Sequence, residues 1–91
     1  MDLNPDAIRQ AIRDKVMELA RNLGYDASGL QDDDIIPATG LLDSAAILEL
    51  VVWYEGAYDL SIAQEEINID NLGSVNAMTG FLLQRKAAGG G

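Results

Sequence analysis

Cysteine and histidine are both absent from this 91-residue chain. Without cysteine there is no disulfide framework. Without either residue there are no Ser-His or Cys-His nucleophile pairs and none of the usual zinc ligand sets. The only lysines are Lys15 and Lys86, so a Ser-Lys pair would have to reach into the first or last helical segment. No glycine-rich phosphate loop is present. These gaps predict that the chain is not an enzyme, and any thiol it uses must be supplied from outside. Basic residues are also scarce, 6 against 15 acidic ones, for a formal net charge of −9. All six lie at positions 9–21 or 85–86, and the stretch between 22 and 84 holds 11 acids and no base. That balance disfavours nucleic acid and anionic membranes as partners. A basic protein partner would be steered to the acidic middle, and its association would weaken with salt. No run of 18 apolar residues exists, so no membrane span is predicted. Met1-Asp2-Leu3-Asn4-Pro5 lacks the basic-then-apolar order of a secretory signal, which makes a cytoplasmic location the default expectation.

What remains is a globular composition, 48% hydrophobic and only 5% aromatic, of a size that makes one small domain. We expect that domain over residues 1–88 and a flexible tail at Gly89-Gly90-Gly91. Asn4-Pro5-Asp6 reads as a helix start. Ile8, Ile12, Val16, Leu19 and Leu23 then recur at helical spacing up to Gly24, predicting a helix over 5–23. Residues 25–43 form a connection longer than most in compact domains, with Leu30, Ile35, Leu41 and Leu42 expected to pin it down. Its Asp32-Asp33-Asp34 run invites a calcium reading. The EF-hand pattern fails, because Pro37 stands where the glycine belongs and Asp43 where the glutamate does. A solvated loop fits better.

The stretch Gly40-Leu41-Leu42-Asp43-Ser44 organises the chain. Asp43 and Ser44 are both good N-cap residues, and Ile47, Leu50, Val51, Tyr54 and Tyr58 follow on one helical face. The opposite side holds Ala45, Glu49, Val52 and Gly56, with Trp53 flanking. A surface face of this kind is ordinarily polar, so two readings stand: Val52 and Trp53 pack under another element, or this side docks partners. Beyond it, Ile62 should return to the core, residues 63–68 read as irregular, and Asp70-Asn71-Leu72-Gly73 as one helical turn held by Leu72. Ser74 caps a last helix whose buried stripe is Val75, Met78, Phe81 and Leu82, with Arg85 and Lys86 near its negative end.

Gly-Leu-Leu-Asp-Ser, with Glu49-Leu50-Val51 and Tyr58-Asp59-Leu60-Ser61-Ile62 after it, resembles the acyl carrier protein family over roughly residues 8–83. The resemblance implies an all-α fold: a small four-helix bundle, three long and one short, with a long first loop. It implies that Ser44 carries a 4′-phosphopantetheine arm taken from coenzyme A, with Asp43 helping to position it. It implies docking of partner enzymes on the Ser44 helix through Ala45, Glu49, Val52, Trp53 and Gly56. It also implies an acyl pocket, for which Leu50, Tyr54, Ile62, Leu72, Val75 and Met78 are the candidate lining. The bulky phenols Tyr54 and Tyr58 predict a small one. The partners implied are a phosphopantetheinyl transferase, an acyl- or aminoacyl-adenylating ligase, and a downstream acyltransferase or synthase, served by a monomer. Ala45 and Gly56 depart from the family, which often has a leucine or methionine and an acid there. The motif leans toward a specialised acyl or aminoacyl carrier. A housekeeping carrier of fatty-acid synthesis and an unmodified carrier-like interaction module remain the alternatives, and a hydrolase built on one of the four serines lacks a base.

Overall fold

Helices supply all the regular structure: in the computed structural model, which describes residues 3–88, no strand occurs among the described residues. The element order is α1 (Pro5–Asn22), α2 (Ile36–Thr39), α3 (Ser44–Tyr58), a 3₁₀ turn (Gln64–Glu66), α4 (Ile69–Leu72) and α5 (Val75–Ala87). The result is a small helical bundle. The glycine tail expected at 89–91 lies outside the described residues.

Each long helix begins on the side chain that its sequence offers as a cap. The Asn4 side-chain oxygen accepts from the N–H groups of Asp6 and Ala7 at 2.9 and 3.2 Å. Asp43 accepts from Ala46 N–H at 2.8 Å, and Ser74 from Ala77 N–H at 3.0 Å. Ile8, Ile12, Val16 and Leu19 are buried along α1. Leu23, expected as the last member of that stripe, is exposed instead. The helix has already ended at Asn22, Gly24 turns away with φ +86°, and Ala20 fills the buried position.

α1 packs against both α3 and α5, and α4 packs against α5. Few residues of α3 and α5 approach each other closely. Tyr54 bridges that gap, fully buried, with its hydroxyl donating to the Met78 carbonyl at 2.7 Å. Val75, Met78 and Leu82 are buried on α5 as expected, whereas Phe81 is half-buried and carries the Arg85 guanidinium 4.9 Å above its ring.

The long first connection is more ordered than a solvated loop. It holds the short helix α2, which the sequence reading did not anticipate and which ends at Gly40 with φ +75°. Ala27, Leu30, Ile36 and Leu42 are buried, while Ile35, assigned as an anchor, is exposed. Pro37 lies in the first turn of α2, and Ile36 beside it is held by its N–H to the Gly73 carbonyl at 2.8 Å with its side chain inward. The three aspartates are all engaged: Asp32 pairs with Arg13, Asp33 accepts from the Asn76 side chain at 2.7 Å, and Asp34 accepts from Gln31 N–H at 2.8 Å. Backbone bonds from Ile36 N–H to Gly73 and from Asn76 N–H to Asp32 tie the loop to the start of α5.

Two glycines test this description with opposite signs. A Cβ on Gly73 would overlap the Ile69 carbonyl oxygen, whereas one on Gly56 would meet nothing within 4 Å. Gly73→Ala should lower stability. Gly56→Ala, in the last turn of α3 on an exposed face, should raise it by up to about 1 kcal/mol. Urea unfolding of both variants checks the pair, and equal signs would contradict the geometry.

Candidate functional site

Ser44 is the first residue of α3 and is exposed. Its hydroxyl makes no hydrogen bond to another described residue. The Asp43 side chain takes Ala46 N–H and the Asp43 carbonyl takes Ile47 N–H at 2.9 Å. The N–H groups of Ser44 and Ala45 therefore stay open at the positive end of the helix, where an attached anion is favoured. Ala46, buried against the core, fixes which way this first turn faces. Ser44 thus presents an accessible hydroxyl at the head of a capped helix.

The outer side of α3 sits where its spacing predicts. Ala45, Glu49, Val52 and Gly56 are all exposed, Val52 at 59%. Leu48, at 61%, extends the same apolar surface. At 100° per residue it falls only 40° from Val52, on the same outward side. Trp53 divides the two readings made of it. It is partly buried against the core, with its ring edge-on to Tyr58 at 6.1 Å between centroids. The residues that remain available to a partner are therefore Leu48 and Val52, flanked by the Glu49 carboxylate.

Two depressions flank this helix. One, of about 200 Å³, lies where the end of α1 meets the start of α3, between Leu19, Asn22 and Leu23 on one side and Asp43, Ala45, Ala46 and Glu49 on the other. The second, of about 170 Å³, is largely apolar and lies between α3, α2 and the segment 67–73. Ile47 and Val51 of α3, Pro37 of α2, and Ile67, Ile69 and Leu72 form most of it. Of the six residues anticipated as a pocket lining, only Leu72 reaches this depression. Leu50, Tyr54, Val75 and Met78 are closed core, and Ile62 is partly buried with its N–H donating to Glu55 at 3.0 Å. Ile67 and Ile69 were missed because the contact brings together segments about 20 residues apart, which helical periodicity does not register.

The strongest electrostatic perturbations lie away from Ser44. Burial pushes the Tyr54 phenol well above the usual tyrosine range, helped by neighbouring Tyr58, whose own phenol burial also raises. Glu66 is held below the usual carboxylate range by the Ala63 N–H and then by Arg85, and Asp26 by the Ser28 N–H. Among the described residues, no group of three or more acids converges in a way that could hold a metal ion. No helix among them is long and apolar enough to cross a membrane. Comparison with protein-family models, with curated proteins and with solved structures finds no match to this chain.

Two measurements follow. The folded-state pKa of Tyr54 is raised, so its contribution is fully present below the unfolded value of about 10 and is lost as pH climbs above it. Stability should fall on going above pH ~10, and Tyr54→Phe should make that fall shallower, with Tyr58 leaving a residual slope. Separately, Trp53→Ala should cost roughly 1–3 kcal/mol of stability, while Leu48→Ala and Val52→Ala stay within about 0.5 kcal/mol. Chemical denaturation of the three variants distinguishes the half-buried ring from the free surface.

Proposed function

We propose that the protein is a carrier whose Ser44 is modified by another enzyme and thereafter holds a cargo group. The observation that carries this reading is the placement of Ser44: an exposed hydroxyl at the first position of α3, without a hydrogen bond to another described residue, next to two backbone N–H groups with no partner among the described residues. The Asp-Ser motif and its flanks, which resemble the acyl carrier protein family, supply the chemistry. In the modification, the Ser44 oxygen forms a bond to the β-phosphorus of coenzyme A and the pyrophosphate P–O bond breaks. The adenosine bisphosphate half leaves with the bonding pair, and the serine proton passes to a base of the transferase. The attached 4′-phosphopantetheine supplies the terminal thiol that this cysteine-free chain lacks. The open N–H groups of Ser44 and Ala45 stabilise the new phosphodiester, and Asp43 keeps the first turn of α3 formed.

The partners that fit are a phosphopantetheinyl transferase, an acyl- or aminoacyl-adenylating ligase and a downstream acyltransferase or synthase. Leu48 and Val52, with Glu49 between them, suit a transient partner that presents an apolar contact beside a base. Tethering raises the effective concentration of the cargo at each partner's active site, so the chain contributes position rather than catalysis.

Incubation with coenzyme A and a broad-specificity transferase should add the mass of one phosphopantetheine, and Ser44→Ala should abolish the gain. Asp43→Ala should lower stability by about 1 kcal/mol through loss of the cap and slow the modification. A native chain that gains no mass is instead an unmodified interaction module.

A further inference from the structure

The six bases of this chain fall into two groups. Arg9, Arg13, Lys15 and Arg21 lie on α1, and Arg85 and Lys86 lie in the last turn of α5. The second pair reaches back to the connection that follows α3. Arg85 donates to the Ser61 carbonyl at 3.1 Å and pairs with the Glu66 carboxylate, and Lys86 donates to the Asp59 carbonyl at 3.3 Å. That connection carries Asp59, Glu65 and Glu66, with Asp70 just beyond, and no base. An acidic segment is thus drawn onto two cations at the end of a helix. From the other side, Glu55 of α3 accepts from Ile62 N–H at 3.0 Å, and Asn71 of α4 donates to the Glu66 carbonyl at 3.0 Å.

Apolar packing adds little to residues 60–68. None of them is buried: Leu60 and Ile62 are partly covered where they meet the core, and Ile67 is exposed. The 3₁₀ turn makes its bonds inside the segment, from Ala63 N–H to the Glu66 side chain, from Glu66 N–H to the Ala63 carbonyl and from Ile67 N–H to the Gln64 carbonyl. Such bonds travel with the segment and do not oppose its leaving. The two ends differ. Tyr58 and Leu72 are buried on either side, and Asp59 turns the chain out of α3 through the left-handed region, φ 53°. A segment with few buried apolar contacts between anchored ends belongs to the low end of local stability. Arg85 and Glu66 also line a depression of about 340 Å³, so dissolved ions reach and screen their pairing.

We propose that residues 60–68 form a strap that opens as a unit while the helices stay folded, and that Arg85, through Glu66 and the Ser61 carbonyl, is its latch. Lys86 is a second, longer fastening at the Asp59 end. The device responds to ionic strength. Buried apolar side chains hold the core and are indifferent to screening, whereas charges that salt screens hold the strap. None of this requires that Ser44 be modified.

Hydrogen exchange of the full chain in ~0.02 M and ~0.5 M potassium chloride tests it. The amides of Ile62, Ala63, Glu66 and Ile67 should exchange through an opening that leaves Ile12 and Val16 on α1 protected, and should exchange faster at the higher salt. Arg85→Gln should speed exchange at those four amides roughly threefold to tenfold at low salt, leave α1 unchanged and remove most of the salt effect. Glu66→Gln, which keeps an oxygen for the Ala63 N–H, should act in the same direction, and the double variant should fall short of the sum of the two. A glutamate-specific protease should cut the Arg85→Gln chain sooner than the native one at Glu65 or Glu66. The proposal is overturned if the four amides exchange only as slowly as those of α1, if Arg85→Gln speeds exchange equally throughout the chain, or if either salt or the loss of Arg85 leaves strap exchange unchanged. Should Arg85→Gln not fold, Glu66→Gln and the salt series on the native chain decide by the same criteria.

Discussion

The apolar stripe of α1 is the contact on which the other helices depend. Ile8, Ile12 and Val16 are at most 1% exposed, and α1 is the one long helix that packs closely against both of the others. Helices of 13 and 15 residues, the lengths of α5 and α3, are marginal in water by themselves. Their persistence comes from the face they bury. Leu50, Val51 and Tyr54 from α3, and Val75, Met78 and Leu82 from α5, meet that stripe or one another in a single core. The position of Ser44 follows directly, since it is the first residue of a helix whose opening turn is held by a buried Ala46 and by the Asp43 cap. The direction of the helix at that point is set by the packing of Ala46 two residues on.

Placing α1 against both partners leaves α3 and α5 apart, and the fold closes that wedge with an aromatic side chain rather than with a shorter interhelical distance. A phenol fits because its ring fills the width while its hydroxyl finds a carbonyl on the far side. The connections are held differently. Between Asp59 and Asp70 no residue is buried, and the segment is secured by polar contacts: Arg85 pairs with Glu66 and donates to the Ser61 carbonyl at 3.1 Å, and Glu55 accepts from Ile62 N–H. Arg13 does the same for the first connection through Asp32 and the Leu30 carbonyl. Arg13 and Arg85 thus tie loops to long helices, and Lys86 adds a bond to the Asp59 carbonyl at 3.3 Å. α3 itself carries Glu49 and Glu55 and no base.

The caps and the helical spacing made the long helices legible almost to the residue. Asn4, Asp43 and Ser74 each announce a helix start, and α3 spans the segment marked out by its motif and its periodic face. What was not legible depends on contacts between distant segments. Ile35 and Ile36 are equivalent as composition, and it is Ile36 whose N–H bonds the distant Gly73 carbonyl and whose side chain is buried. α2 is too short for periodicity to detect. The depression is built from α3 and residues 67–73, so its walls come from faces that look like plain core or plain surface when each is read alone. The exposed position of Ser44 at the head of α3 was legible because its signals are local: a capping pair and the apolar run that follows. The extent of the exposed apolar surface was legible only in part, since Leu48 was passed over beside Glu49.

That exposed surface is not a requirement of the fold. Leu48 and Val52 stay well over half exposed while Val51 and Tyr54 on the same helix are buried; the outer pair therefore adds little to the core. Gly56, one turn beyond Val52, has open space where a Cβ would stand, so no steric demand inside the molecule calls for a glycine that weakens an exposed helix. Stability alone would favour polar residues at 48 and 52 and alanine at 56. All three departures fall on the outward side of the helix that Ser44 heads, and together they leave a low, apolar strip edged by Glu49. The strip therefore serves neither the core nor the helix, and it lies on the same helix as the Ser44 hydroxyl, where the proposed carrier function would seat a partner.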